Sequence, residues 1–218
     1  MIKDIIKRDL SAPKLHDSAI NVLAVMEEHK ISHVPVVDEN NKFIGLIDEL
    51  SIINMNNIQH PLSSMKKNMK NIFLVENAHI FQSIQTLTSH LLSIIPIVDE
   101  NHMYLGYIDQ IDIIQKIGLS HTNYDNLNII VISLHKKDYV LSEISRLIEE
   151  NNGKIITLWQ EITNDKINVH LALSCIKCDI IIKTLERYEY NITQTFSSDY
   201  TSNTLDDRFE SFINYLNT

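Results

Sequence analysis

The chain has 218 residues, enough for one large domain or for two to three small domains that each bury their own core. Its formal net charge is −9 and no segment forms a basic arm, which argues against nucleic-acid binding through phosphate contacts. Two cysteines are too few for a disulfide framework, and no apolar run is long enough to span a membrane. We therefore expect a cytoplasmic protein that binds neither nucleic acid nor membrane.

An internal repeat with a constant offset dominates the first half of the chain. The separation between Pro35 and Pro96 is the same as the separation between Gly45 and Gly106. About half of the positions aligned between 35–53 and 96–114 are identical, which coincidence does not explain. The chain therefore contains two copies of one unit, whose predicted boundaries are 1–60 and 61–120.

Each copy is predicted to run strand, helix, strand, strand, helix. In the first copy a helix follows Asp17-Ser18, and apolar residues 34–37 and 43–47 form a hairpin around the polar turn 38–41. Asp48 then occupies the N-cap position of a short amphipathic helix. The second copy repeats this pattern, and one copy alone is too small to bury both faces of its sheet. The two copies should therefore pack together.

These motifs resemble the CBS domain, a family whose members occur as tandem pairs called Bateman modules. The resemblance is carried by Pro35-Val36-Val37-Asp38-Glu39 and Gly45-Leu46-Ile47-Asp48, together with their copies at 96–100 and 106–109. It covers residues 1–120. It implies an α+β fold in which the two repeats pack as a pseudo-two-fold pair.

The segment 127–197 has a different pattern, after a polar linker at 121–126. Strands and helices alternate in the order βαββαβ, a split βαβ arrangement, at 127–134, 140–150, 154–162, 166–174, 179–188 and 191–196. This order and the stretch from Glu143-Ile144 to Asn151-Asn152-Gly153 resemble an ACT domain. A CBS pair followed by an ACT-like domain is similar to stand-alone bacterial regulators of the acetoin-utilisation protein B type.

The tail, residues 198–218, is predicted to contain an amphipathic helix. Five apolar residues fall on one face of this helix: Leu205, Phe209, Phe212, Ile213 and Leu216. Such a helix docks on its own chain, on a second copy or on a recruited partner, and the sequence leaves these alternatives open.

Catalytic motifs are missing from the sequence. There is no phosphate loop, no nucleophile elbow and no helical zinc motif, and four glycines cannot build a Gly-rich cradle. Cys175 and Cys178 form a lone Cys-Xaa-Xaa-Cys without a second ligand pair, so a structural role is favoured over zinc or redox chemistry. The sequence therefore predicts a protein that is not an enzyme and has neither a metal nor a resident cofactor.

The resemblance to CBS domains implies a ligand site. In nucleotide-binding members the return strand reads Gly-hydrophobic-hydrophobic-Thr/Ser-Xaa-Xaa-Asp, whose hydroxyl contacts a phosphate and whose Asp binds the ribose hydroxyls. Carried over, the hydroxyl positions hold Asp48 and Asp109, and the ribose positions hold Ser51 and Asp112. The candidate ligand-binding residues are Asp112, Asp109, Gly106, Tyr107, Ile108, Pro96, Gly45, Ile47, Asp48 and Ser51.

Replacing the hydroxyl by a carboxylate has an electrostatic consequence. Two like charges about 4 Å apart repel by about 4 kcal/mol at an effective dielectric constant near 20. A phosphate-bearing adenosine nucleotide then needs a cation beside Asp109, whereas a nucleoside or the cationic S-adenosylmethionine tolerates it. The alternative is that Asp48 and Asp109 serve as helix caps alone.

Two further segments bear on ligand binding. Amino-acid-binding ACT domains usually carry Asp-Xaa-Xaa-Gly before the first helix, and here Tyr139 follows Lys136-Lys137-Asp138 where that Gly falls. A purely structural ACT-like dimerisation unit is therefore an equal alternative. The basic cluster of Lys66, Lys67 and Lys70 between the CBS copies is interpreted as a solvated connector, with anion contact as the alternative.

Two functions follow from these patterns. The first is a non-enzymatic regulatory sensor, whose CBS pair binds an adenosine-type ligand near Asp112 and transmits binding by a conformational change. The second is a homodimeric interaction protein with vestigial pockets. We expect a homodimer under both hypotheses, with an unidentified protein target.

Overall fold

A computed structural model describes residues 1–119 and 126–197 of the chain. The predicted linker, apart from Asn126, and the predicted tail helix lie outside the described residues. The chain divides into two compact units, Met1–Leu119 and Ser120–Thr218. Within the described residues, no helix combines the length and hydrophobicity that a membrane crossing requires.

The first unit contains the two repeats. The first copy comprises α1 (Ala19–His29), β1 (His33–Val37), β2 (Phe43–Asp48) and α2 (Glu49–Ile53). The second copy comprises β3 (Leu74–Val75), α3 (Ile80–His90), β4 (Ile94–Val98), β5 (Tyr104–Asp109) and α4 (Gln110–Leu119). Short 3-10 helices at Ile2–Ile5 and Leu62–Asn68 lie ahead of the two copies.

The predicted strand at the start of each copy is present only in the second copy. There, β3 pairs in parallel with β4, and Val75 lies opposite Val98. In the first copy this strand is reduced to one parallel bridge between Lys14 and Val37, the equivalent pair of positions. Pro13 has no amide donor, and the amide of Lys14 donates to Asp17 Oδ2 at 2.8 Å, so the ladder cannot extend. The prediction of a first strand in copy one is therefore wrong.

The two copies are related by a pseudo-two-fold axis. Lys42 and Met103, which occupy equivalent positions in the two copies, pair with each other in an antiparallel bridge. On either side, the amide of Phe43 donates to the carbonyl of His102, and the amide of Tyr104 donates to the carbonyl of Asn41, both at 2.9 Å. Equivalent turns of the two hairpins therefore meet at the axis.

The hydrophobic core of the first unit is shared between the copies. Ile94 and Tyr107 of the second copy pack with the α1 residues Val22 and Met26, and Leu46 of the first copy packs with the second copy's core. Neither copy encloses a core from its own residues alone. The expectation that the two repeats pack together is thereby confirmed.

The second unit has the predicted βαββαβ order. Its elements are β6 (Leu127–His135), α5 (Leu141–Glu149), β7 (Lys154–Ile162), β8 (Lys166–Ser174), α6 (Cys178–Arg187) and β9 (Asn191–Ser197). The four strands form one antiparallel sheet in the order β7-β8-β6-β9. Alternate residues of β6 and β8 face α5 and α6, where Ile130, Ile132, Val169, Leu171 and Leu173 are fully buried. The α+β fold class predicted from the sequence is confirmed.

Candidate functional site

The candidate residues of each copy cluster where β2 passes into α2 and where β5 passes into α4. The first of these strands ends at Asp48 and the second at Asp109. In each copy the next residue begins a helix, so the carboxylate lies at the N-cap. The two half-sites are thus equivalent positions of the repeat.

Gly45 and Gly106 allow a second segment of the chain to lie close against β2 and β5. In each case this crossing segment comes from just ahead of the other copy. Lys7, ahead of the first copy, exchanges both backbone hydrogen bonds with Tyr107, at 2.8 and 3.0 Å. Lys70, ahead of the second copy, does the same with Leu46, at 2.8 Å in both directions. A Cβ on Gly106 would lie 2.1 Å from the carbonyl oxygen of Lys7, and one on Gly45 would lie 2.7 Å from Met69 Cβ. The glycines are therefore explained by backbone approach within the chain.

The second half-site is a cluster of two carboxylates and one ammonium. The amide of Asp112 donates to Asp109 Oδ1 at 2.9 Å, and the amide of Asp109 donates to Asp112 Oδ2 at 3.0 Å. This reciprocal pair is a capping box at the start of α4. Lys7 Nζ lies 2.7 Å from Asp109 Oδ2 and 3.1 Å from Asp112 Oδ1. The side chain that the resemblance assigns to ribose, Asp112, is only 12% exposed and is bound by its own chain.

The ion pairs shift the ionisation of this cluster. Partial burial lowers the pKa of Lys7, but the hydrogen bonds to Asp109 and Asp112 outweigh burial and raise that pKa overall. Burial opposes ionisation of Asp109, yet the hydrogen bonds from Lys7 and from the Asp112 amide hold its pKa below the ordinary value. Lys7 and Asp109 are therefore both charged at neutral pH.

The first half-site is weaker and more exposed. Asp48 Oδ1 accepts a hydrogen bond from the Ser51 amide at 2.7 Å and caps α2. Lys70 Nζ lies 3.6 Å from Asp48 Oδ2, so Lys70 is not the purely solvated connector residue predicted from the sequence. Burial opposes ionisation of Asp48, but the Ser51 hydrogen bonds and Lys70 hold its pKa below the ordinary value. One carboxylate and one ammonium leave this half-site uncharged overall.

Replacing Asp48 by Ala tests the capping role. Asp48→Ala is expected to cost about 1 kcal/mol of unfolding free energy because the first turn of α2 loses its acceptor. Ser18 is the matched control, since it occupies the N-cap of α1 without a side-chain cap hydrogen bond, and Ser18→Ala should cost much less. Urea unfolding of both variants checks the difference. Equal losses would show that Asp48 does not stabilise α2 by capping.

Four other candidate residues serve the core. Ile47 and Ile108 are at most 1% exposed and pack inside the hydrophobic clusters, and Pro96 is buried in β4 opposite Tyr107. Tyr107 is 4% exposed, and its pKa is raised to about 12 by burial and by its hydrogen bond to Asp9. These side chains hold the strands that carry the site.

A cavity of about 270 Å³ lies beside β5, the strand that leads to the second half-site, and its volume is slightly below the range of about 300–1,000 Å³ typical of small-molecule sites. Gly106, Tyr104, Arg8 and Lys14 are among its lining residues, while Asp109 and Asp112 are not. Lys7 and Arg8 are adjacent in sequence. One segment of the chain therefore contacts the carboxylate cluster through Lys7 and lines the cavity through Arg8. Tyr104 is 8% exposed, and its hydroxyl has no hydrogen-bond partner among the described residues. An unpaired buried hydroxyl costs about 1–3 kcal/mol, which a ligand could recover.

Sequence reasoning missed Lys7, Arg8 and Tyr104. The sequence signal for Lys7 was indirect, because Ile6-Lys7 and Met69-Lys70 are apolar-basic pairs ahead of the two copies that are 63 residues apart rather than at the repeat offset of 61. The contact with Asp112 could not be read from that signal. It depends on each leading segment crossing to the other copy.

Within the described residues, the other positions singled out in the sequence have structural roles. Tyr139, where ACT domains usually carry Gly, packs against the core of the second unit, and its hydroxyl accepts a hydrogen bond from Gln160 Nε2 at 2.6 Å. Burial and a hydrogen bond with Cys175 raise the pKa of Cys178 to about 12, so its thiol is not activated. Within the described residues, no group of three or more His, Cys, Asp or Glu side chains is arranged to hold a metal ion.

Comparisons with known proteins give relatives for about half of the chain. The L-aspartate semialdehyde sulfurtransferase of Methanocaldococcus jannaschii is 24% identical over 124 residues, which are 54% of this chain and 23% of that protein. The chain thus spans less than a quarter of the length of this curated relative.

Two solved structures are similar at low identity. A CBS domain pair/ACT domain protein from Thermotoga maritima has a TM-score of 0.49 at 15% identity, over 56% of this chain and 98% of that chain. A protein from Vibrio cholerae described as an acetoin utilization protein (AcuB) has a TM-score of 0.46 at 21% identity, over 54% of this chain and 90% of that chain.

The family comparison is the most specific of these findings. The model of the CBS domain matches residues 2–55 and again residues 65–119, the two repeats that share one core and one pseudo-two-fold axis. Half of the residues in the chain fall within these two matches, and the chain therefore belongs to the CBS domain family.

Proposed function

We propose that this chain is a non-enzymatic regulatory sensor, whose CBS pair binds an adenosine-type ligand at the second half-site around Asp112. CBS pairs are regulatory ligand-binding modules. The observation that carries the finer proposal is the asymmetry of the two half-sites. Only the second copy has a carboxylate at the ribose position, and β5, the strand that leads to it, lines a cavity through Tyr104, whose buried hydroxyl has no hydrogen-bond partner among the described residues.

The charges around this half-site define the ligand that it would accept. Lys7 supplies the cation that a phosphate needs beside Asp109, and Arg8 in the cavity wall adds a second positive charge. Arg8 has no ion-pair partner within the described part of the chain. A ligand with a ribose diol and at most one phosphate group suits this balance better than a triphosphate does.

Ligand binding would compete with the ion pairs of Lys7. Asp112 Oδ1 is held by Lys7 Nζ, so ribose hydroxyls that reach this carboxylate displace the ammonium. Lys7 is also bonded through its backbone to Tyr107, and its release would loosen the segment that ties the start of the chain to the second copy. Two arrangements of one segment, with and without ligand, give a sensor its two states.

Thermal unfolding of the purified full chain tests this function. The probes are adenosine, AMP, ADP, ATP and S-adenosylmethionine, each with and without Mg²⁺. A ligand present at 100 times its Kd adds about 2.7 kcal/mol, which raises the midpoint by a few degrees. Asp112→Asn should abolish this rise, whereas Asp48→Asn, a cap variant in the first copy, should leave it unchanged. No rise with any compound would refute ligand sensing.

Arg8→Gln is the variant that separates phosphate recognition from nucleoside recognition. If Arg8 contacts the phosphate, this change should lower the rise with AMP to the level seen with adenosine. If AMP still raises the unfolding midpoint of Arg8→Gln above the midpoint with adenosine by as much as in the unchanged chain, the phosphate is not bound in this cavity.

The second candidate function is a homodimeric interaction protein with vestigial pockets. It is favoured by an apolar groove of about 570 Å³ between α3 and α4, lined by Leu87, Ile113 and Ile117 among others. Leu91 and Ile114, which also line the groove, are 84% and 68% exposed. Light scattering after gel filtration tests a dimer through this face. Ile114→Asp should give a monomer, and Ile162→Asp, in the second unit, is the control that should not.

A further inference from the structure

We propose that residues 205–216 of the tail form a helix that docks on the open face of the sheet in the second unit. This open face is the side of the sheet opposite α5 and α6. It is formed by two rows of four residues, Trp159-His170-Val131-Gln194 and Thr157-Ala172-Ile129-Phe196, each running across all four strands. Seven of these eight residues line one shallow groove of about 440 Å³.

The open face is too apolar for a surface that meets only water. In an antiparallel sheet with one buried face, the other face normally alternates to polar residues. Here the two large aromatic side chains, Trp159 and Phe196, are 58% and 54% exposed and stand at opposite edges of the groove. Ile129 and Ala172 form its floor. An exposed apolar groove of this kind marks a contact surface.

The position of the chain end favours the tail as the occupant. β9 is an edge strand of the sheet, and the described part of the chain ends at Ser197, immediately after Phe196. Residues 198–204 could span roughly 23 Å when extended, at about 3.3 Å per residue. The sheet, with strands about 4.8 Å apart, is roughly 14 Å wide between its outer strands. The residues after 204 can therefore reach any part of the groove.

The sequence of the tail matches what the groove requires. Residues Leu205, Phe209, Phe212, Ile213 and Leu216 follow the spacing i, i+4, i+7, i+8 and i+11, which forms one apolar stripe on a helix. Twelve helical residues are about 18 Å long, enough to cover the four strands. The opposite side of this helix carries Asp207 and Glu210, which would face water.

Trp159 provides a direct probe, because it is the single tryptophan of the 218 residues. The experiment compares the full chain with the double variant Phe209→Asp/Phe212→Asp by tryptophan emission and acrylamide quenching. The matched control is Ser211→Asp/Asn214→Asp, which adds the same charge away from the stripe. Far-UV circular dichroism and the unfolding midpoint verify that all three proteins are folded.

The proposal predicts a red shift of Trp159 emission and a loss of protection from acrylamide in the Phe209/Phe212 variant alone. The emission of the unchanged chain should not depend on protein concentration, because the contact lies within one chain. Identical emission from all three proteins would overturn the proposal. A shift that appears only on dilution would also overturn it, because it would assign the groove to a second copy.

Discussion

Gly106→Ala is expected to destabilise the first unit more than any other single substitution considered. The residue has a φ of 143°, a conformation that residues with a side chain rarely adopt and that costs about 1–3 kcal/mol. The new Cβ would also lie 2.1 Å from the carbonyl oxygen of Lys7, and overpacking of this kind adds roughly 1–3 kcal/mol. The neighbouring atom belongs to backbone, so rotation of a flexible side chain cannot relieve the contact. Denaturant unfolding measures the loss.

Gly118→Ala is the matched control for this prediction. Gly118 lies in α4, and a Cβ there would meet nothing within 4 Å. Because Gly118 lies in the last turn of the helix, where the preference for Ala over Gly is smaller than in the middle, this change should stabilise the chain by less than about 1 kcal/mol. If Gly106→Ala and Gly118→Ala had the same effect on the free energy of unfolding, the backbone of Lys7 would not be in close contact with β5 at Gly106.

Lys7→Met is expected to lower stability near neutral pH and to make stability less dependent on pH in the acid range. The change leaves Asp109 and Asp112, which are 21% and 12% exposed, without their cation. Hydrogen bonds to charged groups contribute roughly 1.5–3 kcal/mol, and a loss of about that size is expected at pH 7. The loss should appear in urea unfolding as a lower midpoint.

The pH dependence has a defined sign. The pKa of Asp109 is lowered in the folded state. Its ion pair therefore makes its whole contribution to the free energy of unfolding above the pKa of the unfolded chain, about 4, and this contribution is lost as the pH falls through the lower pKa of the folded state. The pKa of Lys7 is raised, so its contribution disappears only in strong alkali. The difference in the free energy of unfolding between the unchanged chain and Lys7→Met should therefore become smaller below about pH 4.

Lys70→Met tests the same change at the first half-site. Lys70 is half exposed and lies 3.6 Å from a single carboxylate, so its replacement should cost less than about 1 kcal/mol. Equal losses from Lys7→Met and Lys70→Met would contradict the asymmetry on which the proposed function rests.

Much of the fold could be predicted because its signals are local. The shared offset of the Pro35–Pro96 and Gly45–Gly106 pairs identified the repeat, and alternating apolar residues placed the strands of the second unit. The missing first strand was not predicted, because it depends on Asp17 binding the Lys14 amide in place of a strand partner. Competition of this kind between side chain and backbone is invisible in a hydrophobic pattern.

The candidate site was predicted only in part, for a topological reason. Asp109 and Asp112 follow from the local motif, and their capping geometry is local as well. Lys7 lies far from both in sequence, and it reaches them because the leading segment of each copy pairs with the strand of the other. Gly45 and Gly106 lie where this segment approaches the strands, and they leave room for it.

Equilibrium dialysis with labelled adenosine and labelled AMP tests the central claim most directly. The unchanged chain, Asp112→Asn and Asp48→Asn are compared at equal concentration, with folding verified by their unfolding midpoints. Ligand sensing at the second half-site predicts saturable binding by the unchanged chain and by Asp48→Asn, and its loss in Asp112→Asn. Equal binding by all three proteins, or binding by none, would contradict the assignment of this half-site as the sensor.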